Sequence, residues 1–146
     1  MKKNAIVLIL IMMLFFAQSV CFGLPWKKKP KPVLFLSPYD PQIELEKTGS
    51  IKSFDVFKPN QRIYFLVYMP DGFKSDYIRY QIVKQDDNAH VGGYSRIRNI
   101  TVRLKDKNTY IDYFMLTGAG KYYLQIFDIQ NLHQWLAIAS FKVVNE

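Results

Sequence analysis

Gly118-Ala119-Gly120-Lys121-Tyr122-Tyr123-Leu124-Gln125-Ile126-Phe127-Asp128 is the stretch whose reading decides the fold. A flexible glycine turn feeds a run dense in aromatic and β-branched side chains, the composition that suits a pleated, half-buried surface. Residues 134–144 supply an apolar run of matching length, and the polar segment Ile129-Gln130-Asn131-Leu132-His133-Gln134 stands between the two. Two long strands joined by a loop, with no helical periodicity beside them, predict the heart of a β-sandwich.

Upstream the same signature recurs. Residues 33–37 read as a first strand, broken at Ser37-Pro38-Tyr39-Asp40-Pro41, where two prolines bracket a turn. Residues 43–47 alternate Ile43 and Leu45 against Glu44 and Glu46, the pattern of a half-exposed strand, and residues 52–57 form a weaker one. Residues 62–69 are apolar on both parities, which predicts a central strand covered on both faces and ended by Pro70-Asp71-Gly72. In residues 76–85, Ile78, Tyr80 and Ile82 alternate with Tyr77, Arg79 and Gln81. Residues 94–105 place Arg96 and Arg98 on one parity and Arg103 and Lys105 on the other, so a bulge near Asn99, or two short strands, is expected. Residues 110–116 complete a series of seven to nine strands at nearly even spacing.

Leu116, Gly118, Gly120, Tyr122 and Leu124 resemble the corner between strands E and F of immunoglobulin-like domains. The resemblance implies an all-β, immunoglobulin-like β-sandwich of mostly antiparallel strands over residues 33–146. It also implies that the Tyr122 hydroxyl bonds back to the turn and that Leu124 stands where antibody domains carry their second cysteine. The chain departs from that pattern in having no inter-sheet cysteine pair, no aspartate at the corner and no core tryptophan in the middle strand.

Lys2 and Lys3 precede an unbroken apolar run from Ala5 to Ala17, then Gln18 and Ser19, the layout of a secretory signal peptide over residues 1–23. An uncleaved membrane anchor is the alternative, since the run approaches the roughly 20 residues that span a bilayer. Cys21 offers a third, lipid attachment, although Val20 and Gln18 fit that pattern poorly. Cys21 is the sole cysteine, so its removal would leave neither a disulfide framework nor a thiolate zinc site. Residues 24–32 hold Trp26-Lys27-Lys28-Lys29-Pro30-Lys31-Pro32, an extended leader rather than a helix or central strand. Its lysines sit where positive charge tends to be retained on the cytoplasmic side, which opposes the export reading.

The catalytic inventory is sparse. His90 and His133 fall in expected loops and neither belongs to a metal-ligand motif; lone loop histidines are usually solvated. No Gly-x-Ser-x-Gly elbow is present, and Gly118-Ala119-Gly120 and Gly92-Gly93 lack the lysine and hydroxyl of a phosphate loop. Asp86, Asp87 and Asn88 lack the spacing of a calcium loop and read as a solvated turn. Asn99-Ile100-Thr101 matches the glycosylation triplet inside an expected strand. The sequence therefore predicts no enzyme and no cofactor; a small envelope enzyme or metal-binding protein using His90, His133 or the acidic turn is the alternative.

Without Lys2 and Lys3 the chain keeps 18 basic against 12 acidic residues, a net of +6 that favours anionic partners. Arg79, Lys84, Arg96, Arg98, Arg103 and Lys105 fall in neighbouring strands and either form one patch, with Tyr77 and Tyr94 interleaved, or simply charge outward strand faces for solubility and edge protection, the commoner role of such residues. The loops offer a sharper expectation. Asp71 and Phe73 on one connection and Asn131, Leu132 and His133 on the other should emerge at the same end of an immunoglobulin-like sandwich, where such scaffolds carry binding groups. Phe73 and Leu132 either crown those loops or tuck beneath them. The sequence thus predicts an exported binding, adaptor or structural module of the periplasm or cell envelope, its partner another envelope protein or an anionic envelope component. Nucleic acid is disfavoured by export, and membrane proximity would come from an anchor, a lipid or the lysine-rich leader. A chaperone acting by strand addition at an open sheet edge is a further alternative.

Overall fold

The computed structural model describes residues 31–89 and 92–145. The expected signal peptide, Cys21, His90 and all but the end of the leader lie outside the described residues.

Alternating apolar residues become eight strands among the described residues: β1 (Val33–Ser37), β2 (Val56–Phe57), β3 (Arg62–Tyr68), β4 (Tyr77–Gln85), β5 (Tyr94–Arg103), β6 (Thr109–Met115), β7 (Gly120–Asp128) and β8 (Asn131–Val143). They form a three-stranded sheet in the order β1-β3-β6 and a five-stranded sheet in the order β2-β8-β7-β4-β5. All pairs are antiparallel except β2 with β8. This is an immunoglobulin-like sandwich with β3, β6, β4, β7 and β8 in the places of strands B, E, C, F and G. The fifth strand is placed differently from the constant-type domain, because β5 pairs with β4 in the large sheet and leaves β6 as the edge of the small one.

Inward residues of the two sheets make one core. Phe65 on β3 meets Tyr80 on β4 at 5.1 Å and Phe114 on β6 at 6.0 Å. Tyr80 thereby occupies the middle-strand position where antibody domains carry tryptophan. Phe141 on β8 gathers Phe57, Phe114 and Tyr122 around it at 5.6–5.8 Å. The expected corner is present: the Tyr122 hydroxyl donates a 2.6 Å hydrogen bond to the Gly118 carbonyl, and Leu124 is completely buried. β3 is the central strand of its sheet, as expected, but its outer face is only partly covered: Leu66 is buried there while Tyr68 is 43% exposed.

Three expectations need correction. Residues 43–47 are not a strand but the middle of a helix, α1 (Pro41–Thr48). Asp40 caps it by accepting from the Gln42 amide at 2.9 Å, Pro41 opens it, and Gly49 closes it in the left-handed conformation with its N–H on the Leu45 carbonyl. Ile43 and Leu45 are 50% and 51% exposed, so their alternation reflects no core face. The weak strand at 52–57 contracts to β2, whose two residues lie parallel to Lys142 and Val143. The turn between β7 and β8 is Ile129-Gln130 alone, and Asn131, Leu132 and His133 begin β8. The Asp128 carboxylate makes that turn tight by accepting from the Gln130 amide at 2.9 Å. The β5 bulge exists at Ile97, since Ile82 pairs with Arg98 while Val83 pairs with Arg96.

Candidate functional site

At one end of the sandwich the β3–β4 connection and the β7–β8 hairpin close on a cleft of about 580 Å³. One wall is Met69, Pro70, Asp71 and Gly72. Its shape is fixed by the β5–β6 turn: the Asn108 side-chain amide donates to the Met69 carbonyl at 2.8 Å and the Phe73 amide to the Lys107 carbonyl at 2.6 Å. Gly72 is held at φ 77°, and a Cβ there would press on the Lys107 carbonyl at 3.3 Å, so this wall needs glycine. The opposite wall is Asp128, Asn131, Trp135 and Leu136. Asp128 is 6% exposed and Trp135 is 50% exposed. The cleft thus pairs a carboxylate sunk at the strand end with an aromatic blade at the rim, a mixed lining typical of binding pockets.

The loop residues singled out by sequence divide. Asp71 and Asn131 line the cleft. Phe73 tucks beneath its loop, half-buried against the core. Leu132 turns to a shallow depression on the outer face of the large sheet, beside Arg79 and Phe127. His133 is exposed on β8, its backbone N–H donating to the Asn131 side chain at 3.3 Å. On β8, residues 132–134 have no register partner on β7, because Asp128 pairs with Asn131 and Phe127 with Trp135. The polar interruption seen in the sequence is therefore a bulge within a strand. Asp128 and Trp135 escaped the sequence reading because each lies within a strand signal; a carboxylate ending an apolar run was the available cue.

The expected basic patch also divides, for a reason of parity. Arg79 pairs with Thr101, Val83 with Arg96 and Tyr77 with Arg103, which sets these three arginines on the outer face of the large sheet. Arg79 donates from Nε to the Thr101 hydroxyl at 3.2 Å. The Ile97 bulge sends Arg98 to the inner side, where it acts on the Tyr80 hydroxyl. Lys84 also lies on the inner parity, its ammonium 5.7 Å from the Tyr122 ring centre. Lys105 follows β5 and borders the groove between β5 and β6. Tyr94 stands edge-on to Tyr123 at 5.6 Å, and Tyr123 carries the Lys121 ammonium 5.3 Å above its ring. Lys121 donates to the Tyr123 hydroxyl, raising the lysine pKa and lowering the tyrosine's.

Along the open side between β5 and β6, the Asp112 carboxylate accepts from Tyr110 at 2.9 Å and from Tyr80 at 3.3 Å. Burial first, and then this carboxylate, push both tyrosines above the ordinary value. The network satisfies polar groups at the sandwich edge. In the acidic turn, Asp86 accepts from the Ser95 hydroxyl at 2.8 Å and the Asn88 amide at 3.0 Å, which hold its carboxyl below the usual value. Among the described residues no group of three or more His, Cys, Asp or Glu side chains gathers as a metal site, and no helix is long and apolar enough to cross a membrane.

No protein-family model and no curated protein matches the sequence. Among solved structures, an immunoglobulin-like protein from Pseudomonas aeruginosa is similar at 12% identity and a TM-score of 0.45, over 80% of this chain and 98% of that one. A superoxide reductase (neelaredoxin) from Ignicoccus hospitalis is similar at 10% identity and 0.40, over 81% and 82%. A β-glucosidase from Kluyveromyces marxianus is similar at 14% identity and 0.37, over 84% of this chain and 14% of that one. The fold is read from the strand order and the tyrosine corner themselves.

Proposed function

We propose that this chain is an exported binding or adaptor module of the cell envelope, with no catalytic activity of its own, and that it engages its partner at the end cleft. The observation that carries this reading is the convergence of Asp71, from the β3–β4 connection, and Asn131, at the start of β8, on one concavity with the sunk Asp128 and the half-exposed Trp135. Loop ends of a rigid sandwich are where such scaffolds place recognition. The partner is another envelope protein or an anionic envelope component. Export is supported by Lys2, Lys3 and the apolar run that follows them.

Affinity capture from the native envelope tests it. Wild-type protein should retain one identifiable species, and Asp71→Ala combined with Trp135→Ala should lose it while folding normally. Stoichiometric metal in the purified protein, or an activity abolished by His90→Ala with His133→Ala, would instead establish the enzyme or metal-binding alternative. For strand addition, the large-sheet edge β5 is a poor template, since Arg96, Arg98, Arg103 and the bulge guard it; that alternative would rest on β1 or β6, the two edges of the small sheet.

A further inference from the structure

The register of the large sheet brings together a surface that no single stretch of sequence contains. Residues paired across β8, β7, β4 and β5 share one face, and the outward rows run Ser140-Tyr123-Val83-Arg96, then Ile138-Gln125-Gln81-Asn99, then Trp135-Phe127-Arg79-Thr101. Lys121 pairs with Lys142 above these rows and Tyr77 with Arg103 below them. Five cations stand in this array and no carboxylate does; Asp55 borders it only at the Lys121–Lys142 margin. A face of one sign favours an anionic occupant. Four strands at about 4.8 Å spacing make it roughly 15 Å across, a platform for an extended chain rather than a pocket for a small molecule.

Its centre is a line of three side-chain amides, Gln125, Gln81 and Asn99, on adjacent strands. An amide both donates and accepts, which matches neutral hydroxyls. Arg79 and Arg96 flank that line and, with Gln81, Asn99 and Phe127, line a shallow depression of about 210 Å³. Arginine forks suit carboxylates. We propose that this face binds an acidic polysaccharide, with Arg79 and Arg96 taking the carboxylates and the amide line taking the ring hydroxyls. Two other anionic macromolecules fit less well. Single-stranded nucleic acid stacks its bases on free aromatic faces, whereas the Tyr123 ring is already covered by Lys121 and the exposed Trp135, Tyr77 and Tyr94 stand at the margins of the face, away from the amide line. A bilayer surface calls for apolar residues at the centre of the contact, where this face has amides.

The inference goes beyond the proposed function, adding a second surface that meets the end cleft only at Trp135. The test is binding of the full chain to alginate, with neutral dextran, oligo-dT and phosphatidylglycerol vesicles as comparison probes. Alginate should bind, more weakly as salt rises, and dextran should not. Arg79→Gln with Arg96→Gln should lower alginate affinity about tenfold or more, and Gln81→Ala with Gln125→Ala should lower it also at raised salt, where the charge contribution is screened. Lys105→Gln, off the face, should leave it unchanged. No alginate binding, binding indifferent to the arginine pair, or tighter binding of oligo-dT or vesicles would each overturn the proposal. None of those results would bear on the cleft, which capture by the Asp71→Ala variant alone reads independently, since Trp135 belongs to both surfaces.

Discussion

The Tyr122 hydroxyl donates to the Gly118 carbonyl at 2.6 Å, and the same ring lies stacked on Phe141 with its centre 5.6 Å away. One side chain therefore ties the turn before β7 to the core. Tyr122→Phe keeps the stack and orphans the carbonyl, so it should destabilise the fold by about 1–3 kcal/mol. Urea denaturation measures this through a lower midpoint at unchanged slope. An unchanged midpoint would mean that the corner bond contributes nothing.

Gly120 sits at φ 151°, and a Cβ there would fall 2.5 Å from Cε of Lys84. Two effects compete to explain any cost of Gly120→Ala, backbone strain and collision. The lysine tip is flexible and can withdraw, so strain should dominate, at about 1–3 kcal/mol. Adding Lys84→Ala should then rescue little of it; full rescue in the double variant would assign the cost to the collision.

Phe141 touches Phe57 from β2, Phe114 from β6 and Tyr122 from β7. Because it joins both sheets and the short parallel strand, Phe141→Ala should cost about 3–5 kcal/mol. Thermal unfolding should show a correspondingly lower Tm with a single transition.

Tyr80 and Tyr110 have pKa values raised above the ordinary 10, by burial first and then by Asp112. The folded state holds these protons more tightly than the unfolded chain. Their contribution is fully present below pH 10 and is lost as pH rises above it toward the folded values. Stability measured between pH 9 and 11.5 should fall, and Tyr80→Phe with Tyr110→Phe should flatten the decline.

Asp86 shows the opposite sign, held down chiefly by the Ser95 hydroxyl. Its contribution is present above the unfolded carboxyl pKa and is lost as pH falls through the lower folded value. Ser95→Ala should raise the Asp86 pKa, observable in carboxyl NMR titration.

Helix α1 shows how far local pattern reaches. Ile43 and Leu45 alternate with glutamates as a strand would, yet Asp40-Pro41 and Gly49 are start and stop signals for a helix. Alternation alone predicts a strand, but the caps decide for the helix, and both apolar residues point to water. The loop at 129–134 failed differently: its polar composition suggested a long connection, while Asp128 closed a two-residue turn and moved the polar residues into a strand bulge.

The sequence by itself determined the sandwich class, most strand positions and the tyrosine corner, because period-two burial, turn residues and the Gly118-to-Leu124 spacing are local properties. Tertiary structure alone decided which residues share a face. Side-chain direction reverses with every single-residue step in register, so the Ile97 bulge turned Arg98 inward and left Arg96 outward. Pairing across four strands joined Lys121 and Trp135 to Arg79 and Arg96. Closure of the sandwich brought Asp71 across from Asp128, a meeting that depends on contacts between residues distant in sequence.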